Sequence, residues 1–159
     1  MRRLLPYVDV LVANEEDVEK VLGIRAGETD VTKGQIDQQG YVDVAHQLIA
    51  RYGLRLVATT LRKSYSASEN GWSALVCSRE ETAFSREHQI HIVNRVGGGD
   101  AFSAGLIYGL KMGYTMQETV EFAAAASCLK HSIEFDFNLV SLEEVRALME
   151  GDGSGRVQR

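Results

Sequence analysis

Short apolar runs alternate with stretches of helical periodicity along this chain, and that alternation constrains the fold more than any other feature. Residues 8–13 and 54–60 are nearly continuous runs of aliphatic and β-branched side chains, typical of strands buried on both faces of a parallel sheet. Between them, apolar residues recur at helical spacing over residues 42–49. A strand, a helix and a second strand in this order predict a βαβ unit and an α/β fold.

The remaining stretches of the first third are less regular. Residues 14–23 have the pattern of a short helix, with acidic side chains in the first turn and a glycine at the end. Residues 24–39 lack periodicity and are expected to form an irregular surface excursion. Residues 152–159 contain little apolar content and are expected to form a loose tail. With no linker or repeat, residues 1–159 are predicted to form one domain.

The middle of the chain predicts a small antiparallel region. Three short strands are expected at residues 65–68, 72–77 and 88–93. We expect an Asn70-Gly71 turn and a charged turn at residues 79–81 to separate them.

The last third predicts three helices. Residues 101–112 are apolar nearly all round, which indicates a helix clasped between other elements. Thr115 with Glu118, and Ser141 with Glu144, have the spacing of capping boxes that open a second and a third helix.

Composition excludes several classes of function. The 159 residues carry 17 Lys and Arg against 22 Asp and Glu, a formal charge of -5, which makes nucleic acid an improbable partner. No apolar stretch approaches the roughly 20 residues that a membrane span needs, and the start does not resemble a signal peptide, so we expect a cytoplasmic protein. Cys77 and Cys128 are far apart, which argues against a disulfide framework or a zinc site; both are expected to be reduced and buried.

Chemistry concentrates in the sequence NRVGGGDAFSAG, where a predicted strand gives way to the buried helix. Gly97, Gly98 and Gly99 leave the main chain free to approach a ligand, with amides pointing one way at the positive end of a helix dipole. Asp100 directly behind them could accept a proton from a hydroxyl, which suggests phosphoryl transfer to an alcohol. By spacing alone, an ordinary turn followed by an acid that compensates the dipole is an equally good interpretation.

The segment VGGGDAFSAGLIYGL resembles the second signature of the ribokinase-like (PfkB-type) carbohydrate kinases. The segments DVLVANEEDVEKVLGI, TTLRKSYSASENGWSAL and AAASCLKHSIEFDFNLVSLEEV are similar to the 2-keto-3-deoxygluconate kinase branch, in the same order. The resemblance covers nearly all of residues 8–159. It implies a three-layer αβα ribokinase-like fold with a mostly parallel sheet, ATP with Mg2+ as phosphoryl donor, and a small sugar acid as acceptor.

The resemblance also implies roles for individual residues of the glycine turn. Asp100 would be the general base that deprotonates the sugar hydroxyl. Gly97, Gly98 and Gly99 would form the anion hole for the migrating phosphoryl group.

Four residues near strand ends correspond to nucleotide-binding positions of the family. Asn14 and Asp17 fall on an N-x-x-E element that organises magnesium and phosphate through water, with Asp in place of the usual Glu; a simple capping pair is the competing interpretation. Thr60 and Arg62 match a loop near the nucleotide. Most relatives have Gly where Arg62 stands, so a solvated arginine is the alternative there.

Two positions depart from the family pattern, one near the sugar and one near the cation sites. Asp136 matches the second residue of a Gly-Asp pair that places a carboxylate near the sugar, but Phe135 replaces the Gly. Asn94 replaces an Asp at the start of the signature, which removes one negative charge near the cation sites. His131 could border the adenine pocket, although a core or surface histidine is the simpler interpretation.

The resemblance corresponds to the C-terminal, ATP-side half of a sugar kinase. We therefore expect that the chain alone could be inactive, because most sugar contacts of the family belong to the other half. A non-catalytic nucleotide-binding or partner-binding fragment, or a kinase for another sugar, is the alternative function. An uncovered sheet edge would favour self-association, so a homo-oligomer is predicted.

Overall fold

The computed structural model of the protein describes residues 3–14 and 38–151. The predicted helix at 14–23, all but the end of the excursion at 24–39, and the tail at 152–159 lie outside the described residues. Within them, a short 3-10 turn at Leu5–Tyr7 precedes five strands and four helices. These are β1 (Val10–Ala13), α1 (Gln38–Tyr52), β2 (Leu56–Ser64), β3 (Glu69–Cys77), β4 (Thr82–Phe84), β5 (His88–His91), α2 (Gly98–Met112), α3 (Met116–Lys130) and α4 (Leu142–Glu150).

The strands form one mixed sheet in the order β1-β2-β3-β4, with β5 also paired to β3. β1 and β2 run parallel, as the βαβ pattern predicts. The other three pairings are antiparallel, so the sheet has less parallel pairing than the resemblance implied. The physical reason is the shortness of the connections after β2 and β3, which can make a hairpin but not a crossover.

The hairpin between β2 and β3 turns at a different place from the one the sequence suggested. Residues 65–68, expected as a strand, form the turn, while Asn70 and Gly71, expected as the turn, pair with Ser64 and Lys63 inside the sheet. The hydroxyl of Ser66 accepts a hydrogen bond from the amide of Glu69 at 2.9 Å. This local bond closes the turn, so the Asn-Gly pair is not needed for it.

Helices cover both faces of the sheet, which confirms the predicted three layers. Alternate residues of β2 point to opposite faces. Val57 and Leu61 pack against α1, whereas Leu56 and Ala58 belong to the cluster that includes Phe102 of α2.

Helices α2 and α3 approach each other closely. A Cβ atom placed on Gly105 would lie 2.8 Å from the Cα of Ala123, and one on Gly109 would lie 3.0 Å from the side chain of Thr119. Glycine on α2 and alanine on α3 therefore allow backbone-to-backbone packing that larger side chains would prevent. Helix α4 packs on the outer side of α3 through Val145.

The predicted capping boxes and the predicted burial of the two cysteines are confirmed. Thr115 and Ser141 each accept a hydrogen bond from the amide three residues later and form complete capping boxes. Cys77 and Cys128 are buried free thiols. Burial raises the pKa of Cys77 and raises that of Cys128 to about 12. Within the described ranges, no helix combines the length and apolar character needed to span a membrane.

Candidate functional site

The topology brings three predicted site segments to one edge of the sheet. β3 is antiparallel to both β2 and β5, so β5 runs in the same direction as β1 and β2. Asn14 follows β1, Thr60 and Arg62 lie in the second half of β2, and the glycine turn follows β5. Segments that follow strands running in one direction meet at the same edge of a sheet, where α/β proteins commonly bind ligands.

The three glycines of the turn have different surroundings. Gly97 has a left-handed φ of 80°, and a Cβ there would lie 2.7 Å from the carbonyl oxygen of Asp136. A Cβ on Gly98 would lie 2.5 Å from Cε1 of His131, whereas a Cβ on Gly99 would meet nothing within 4 Å. The first two glycines are thus required by packing, and the third faces open space.

The start of α2 presents amides that have no backbone partner among the described residues. The amide of Ala101 donates to the Gly97 carbonyl at 2.9 Å, and that of Gly98 makes a long bond of 3.4 Å to Arg95. Within residues 3–14 and 38–151, the amides of Gly99 and Asp100 donate to no backbone carbonyl. Amides at the positive end of a helix dipole can bind an anion.

Asp100 lies in the first turn of α2, beside these amides, and its side chain is exposed. Among the described residues, its carboxylate takes part in no hydrogen bond or ion pair. A free carboxylate next to an anion-binding turn can accept a proton from a group that attacks the anion.

A network of buried hydrogen bonds supports the glycine turn from the interior of the protein. The hydroxyl of Ser127 donates to the Gly98 carbonyl at 2.8 Å, and Nδ1 of His131 donates to the Ser127 carbonyl at 2.7 Å. The carbonyl of His131 accepts from the amides of Val93 and Asn94. The imidazole ring of His131 packs against Trp72, with ring centroids 4.5 Å apart. Burial lowers the pKa of His131, so the histidine is a neutral core residue, the simpler of the two interpretations of its sequence position.

Three cationic side chains surround this network. Arg95, Lys130 and Arg62 all lie close enough to His131 to lower its pKa electrostatically. Across the part of the chain that the structure describes, none of the three forms an ion pair with a carboxylate. Although the chain carries a net charge of -5, these three cations favour an anionic ligand in their vicinity.

Sequence reasoning selected Arg62 but missed the other two cations. Arg95 lies two residues before Gly97, and its guanidinium donates to the carbonyl of Ala67 at 2.8 Å. Lys130 follows the alanine-rich segment of α3 and is fully buried. The available signal for Arg95 was its position two residues before Gly97. No such signal exists for Lys130, because sequence alone cannot distinguish a buried lysine from an exposed one.

The remaining predicted residues are located as follows. Asn14 is exposed at the end of β1, and Thr60 is half-buried in β2. Asp136 is exposed, and its carbonyl lies against Gly97. Asn94 accepts a hydrogen bond from the amide of Val96 through Oδ1 at 2.9 Å, so it shapes the entry to the turn. Asp17 lies outside the described residues.

Known proteins resemble this chain along most of its length. The family model of the pfkB family carbohydrate kinases matches residues 1–132. The crystal structure of 2-dehydro-3-deoxygluconokinase from Thermotoga maritima is 46% identical, with a TM-score of 0.87 over 95% of this chain and 44% of that one.

Two curated proteins are more distant. The 2-dehydro-3-deoxygalactonokinase of Haloferax volcanii is 25% identical over 152 residues, which are 96% of this chain and 41% of that protein. The ATP-dependent 6-phosphofructokinase of Thermoanaerobacterium thermosaccharolyticum is 28% identical over 130 residues, 82% of this chain and 33% of that protein. The chain therefore spans less than half the length of these relatives.

Proposed function

The chain belongs to the pfkB family of carbohydrate kinases, and from this we propose that it provides the phosphoryl-transfer site of an ATP-dependent sugar kinase. The ribokinase-like fold expected from the sequence is confirmed by the similarity to the Thermotoga maritima structure. The acceptor we propose is 2-keto-3-deoxygluconate, also called 2-dehydro-3-deoxygluconate. The chain is 46% identical to a protein named 2-dehydro-3-deoxygluconokinase, which supports this acceptor over those of the more distant relatives.

The single observation that carries the proposal is the juxtaposition at the start of α2. One helical turn holds the amides of Gly99 and Asp100, the open space above Gly99 and the carboxylate of Asp100; within residues 3–14 and 38–151, these amides and this carboxylate have no partner. An ordinary helix start that only compensates its dipole does not need three consecutive glycines, two of them packed against neighbouring backbone and side chains.

In this proposal, the residues of the turn divide the work of phosphoryl transfer. ATP supplies the phosphoryl group when it is bound. The amides of Gly99 and Asp100 donate hydrogen bonds to its oxygens, and Arg62 and Arg95 add positive charge nearby. The Asp100 carboxylate would accept the proton of the acceptor hydroxyl as that oxygen bonds to the γ-phosphorus, while the bond between this phosphorus and the bridging oxygen breaks and ADP leaves. Asp136, beside the turn, is the proposed contact to the sugar.

The donor set fits a magnesium ion that arrives with the nucleotide. Among the described residues, no group of three or more His, Cys, Asp or Glu side chains could hold a metal ion. Mg2+ often keeps several waters and binds phosphate oxygens with only one or two protein ligands. Asn14 at the end of β1, together with Asp17, is the proposed contact through water.

Nucleotide binding without turnover is the second candidate function. Asn94 favours it, because its side-chain oxygen is used by the Val96 amide and the residue contributes no negative charge for a cation. The two candidates share the anion-binding turn and differ only in the acceptor chemistry.

Calorimetry with Mg·ATP, followed by a coupled assay of ADP release with 2-keto-3-deoxygluconate and with the acceptors of the two more distant relatives, distinguishes these functions. We expect Mg·ATP binding with slow turnover at best, because most sugar contacts of the family belong to the other half, and we expect 2-keto-3-deoxygluconate to be the preferred acceptor. Asp100→Asn should abolish turnover and leave nucleotide binding nearly intact, because the base acts on the acceptor proton. Asp43→Asn, which removes an exposed carboxylate on α1, is the matched control. Binding without turnover for any acceptor would favour the second function, and an active Asp100→Asn variant would exclude Asp100 as the base.

We also propose that the chain self-associates. Within the described residues, β1 pairs with β2 along one edge only, and Val12 is 37% exposed. An open strand edge with apolar side chains favours pairing with a second copy. Sedimentation velocity should detect a dimer or higher oligomer, and a clean monomer at high protein concentration would contradict this.

A further inference from the structure

Lys130, in the last turn of α3, is a buried lysine without a carboxylate partner in the described residues. Its side chain is 0% exposed. Its ammonium donates to the carbonyl of Phe135 at 2.7 Å and makes a longer bond of 3.4 Å to that of Ile133. A buried ammonium is retained only where strong acceptors replace water, so these carbonyls are held firmly in place.

The residue that Lys130 holds has an unusual backbone. Phe135 has a φ of 63°, the left-handed region, and it is the only non-glycine residue with a positive φ among the described residues. This conformation is unfavourable for a residue with a side chain. The phenyl ring is 75% exposed, so side-chain packing does little to compensate. The hydrogen bond from Lys130 to the Phe135 carbonyl is therefore the contact that stabilises this conformation.

The backbone of Phe135 and Asp136, which Lys130 holds, lies directly beside the glycine turn. The carbonyl of Asp136, directly after Phe135, would lie 2.7 Å from a Cβ on Gly97, and Cε of Lys130 itself would lie 3.1 Å from it. Both atoms therefore occupy the space next to Gly97, the left-handed N-cap of α2, where a side chain would otherwise lie. The orientation of the Gly99 and Asp100 amides therefore depends on the position of the Phe135-Asp136 backbone.

We propose that Lys130 is a positioning residue for the phosphate-binding turn. By pinning the carbonyl of Phe135, it holds the Phe135-Asp136 backbone against Gly97 and so aims the amides of Gly99 and Asp100. The ammonium acts on the turn through the loop, without touching the ligand. This inference rests on the proposed function, because the ligand of those amides is taken to be a nucleotide phosphate.

The test compares Lys130→Met, Phe135→Gly and the double variant by nuclear magnetic resonance, with and without Mg·ADP. Lys111→Met, at the exposed end of α2, is the matched control. Lys130→Met should displace the amide resonances of Gly97 to Asp100 and weaken Mg·ADP binding by about tenfold or more, the effect of one charge-assisted hydrogen bond. Adding Phe135→Gly should restore both, because glycine adopts the left-handed conformation without support.

Each outcome decides between supporting and rejecting the role of Lys130. Unmoved turn resonances and unchanged affinity in Lys130→Met would overturn the proposal, as would a loss of binding that Phe135→Gly fails to rescue. If the unmodified protein binds no Mg·ADP, the proposed function fails, yet the resonances of the free protein still test the positioning role by displacement and rescue. If Lys130→Met does not fold, the double variant should fold; its failure to do so would reject the inference.

Discussion

Replacing Gly98 by alanine is expected to destabilise the protein, whereas the same replacement at Gly99 is not. The new Cβ at position 98 would lie 2.5 Å from Cε1 and 2.7 Å from Nε2 of His131. The imidazole ring cannot easily move, because Nδ1 is bonded to the Ser127 carbonyl and the ring packs on Trp72. At Gly99, the added methyl group would enter open space.

The expected magnitudes follow from these surroundings. Overpacking of this kind lowers the free energy of unfolding by about 1–3 kcal/mol. For a domain of this size, each kcal/mol corresponds to about 2–4 °C in melting temperature. An alanine that fits a helical glycine position raises stability by about 0.4–1 kcal/mol. The two single-methyl variants should therefore differ by about 1.5–4 kcal/mol, with opposite signs relative to the unmodified protein.

Urea unfolding followed by circular dichroism measures both variants directly. A Gly98→Ala variant as stable as the unmodified protein would refute the packing argument, and so would a Gly99→Ala variant that is destabilised equally. The Gly98→Ala and Gly99→Ala variants also distinguish an effect on stability from an effect on ligand binding. We expect Gly99→Ala to bind Mg·ATP more weakly despite its intact fold, because its methyl group occupies the open space beside the free amides.

Three further outcomes are expected. Burial lowers the pKa of His88 and His131 below the ordinary value of 6.5. Both therefore contribute stability that is complete above pH 6.5 and is lost as the pH falls through their folded-state pKa values. The melting temperature should decline from neutral to mildly acidic pH, and a melting temperature that does not change with pH would contradict this. Cys77 and Cys128 should react with a thiol reagent only after denaturation, and rapid labelling of the folded protein would show that the thiols are accessible. Thr115→Ala should lower the free energy of unfolding by about 1 kcal/mol in urea, and an unchanged midpoint would show that the cap contributes little.

The sequence predicted best those features that depend on neighbours in the chain. Both capping boxes involve residues three positions apart, and both are present. The predicted α/β class and the helix that begins at the glycine turn also follow from local periodicity. Such features are predictable because the interacting groups are fixed by spacing along one element.

Features that depend on tertiary register were not predictable in the same way. Asn70-Gly71 is a strong turn signal, yet pairing with β2 keeps it within a strand, where the glycine also admits the side chain of Glu87. The strand expected to continue to residue 93 ends at His91, because the amide of Val93 bonds to the carbonyl of His131 instead. Partners far apart in the chain decided both cases.

The candidate site shows the same division. The glycines and Asp100 are contiguous and could be proposed from sequence, and their roles stay predictions. The contribution of Lys130 could not be proposed, since it requires knowing that the lysine is buried and that Phe135 has a left-handed backbone. The replacement of a family glycine by Phe135 left the local backbone in doubt, and the positive φ shows that it keeps a glycine-like conformation.

The close packing of α2 on α3 has a consequence for how the molecule could move. Gly97 is the N-cap of α2, Lys130 is the last residue of α3, and the close approach of Gly105 to Ala123 leaves no room for one helix to slide past the other. The two ends must therefore travel as one unit. In the proposed function, α2 and α3 would stay fixed as one unit, and closure around a bound ligand would come from segments that approach them.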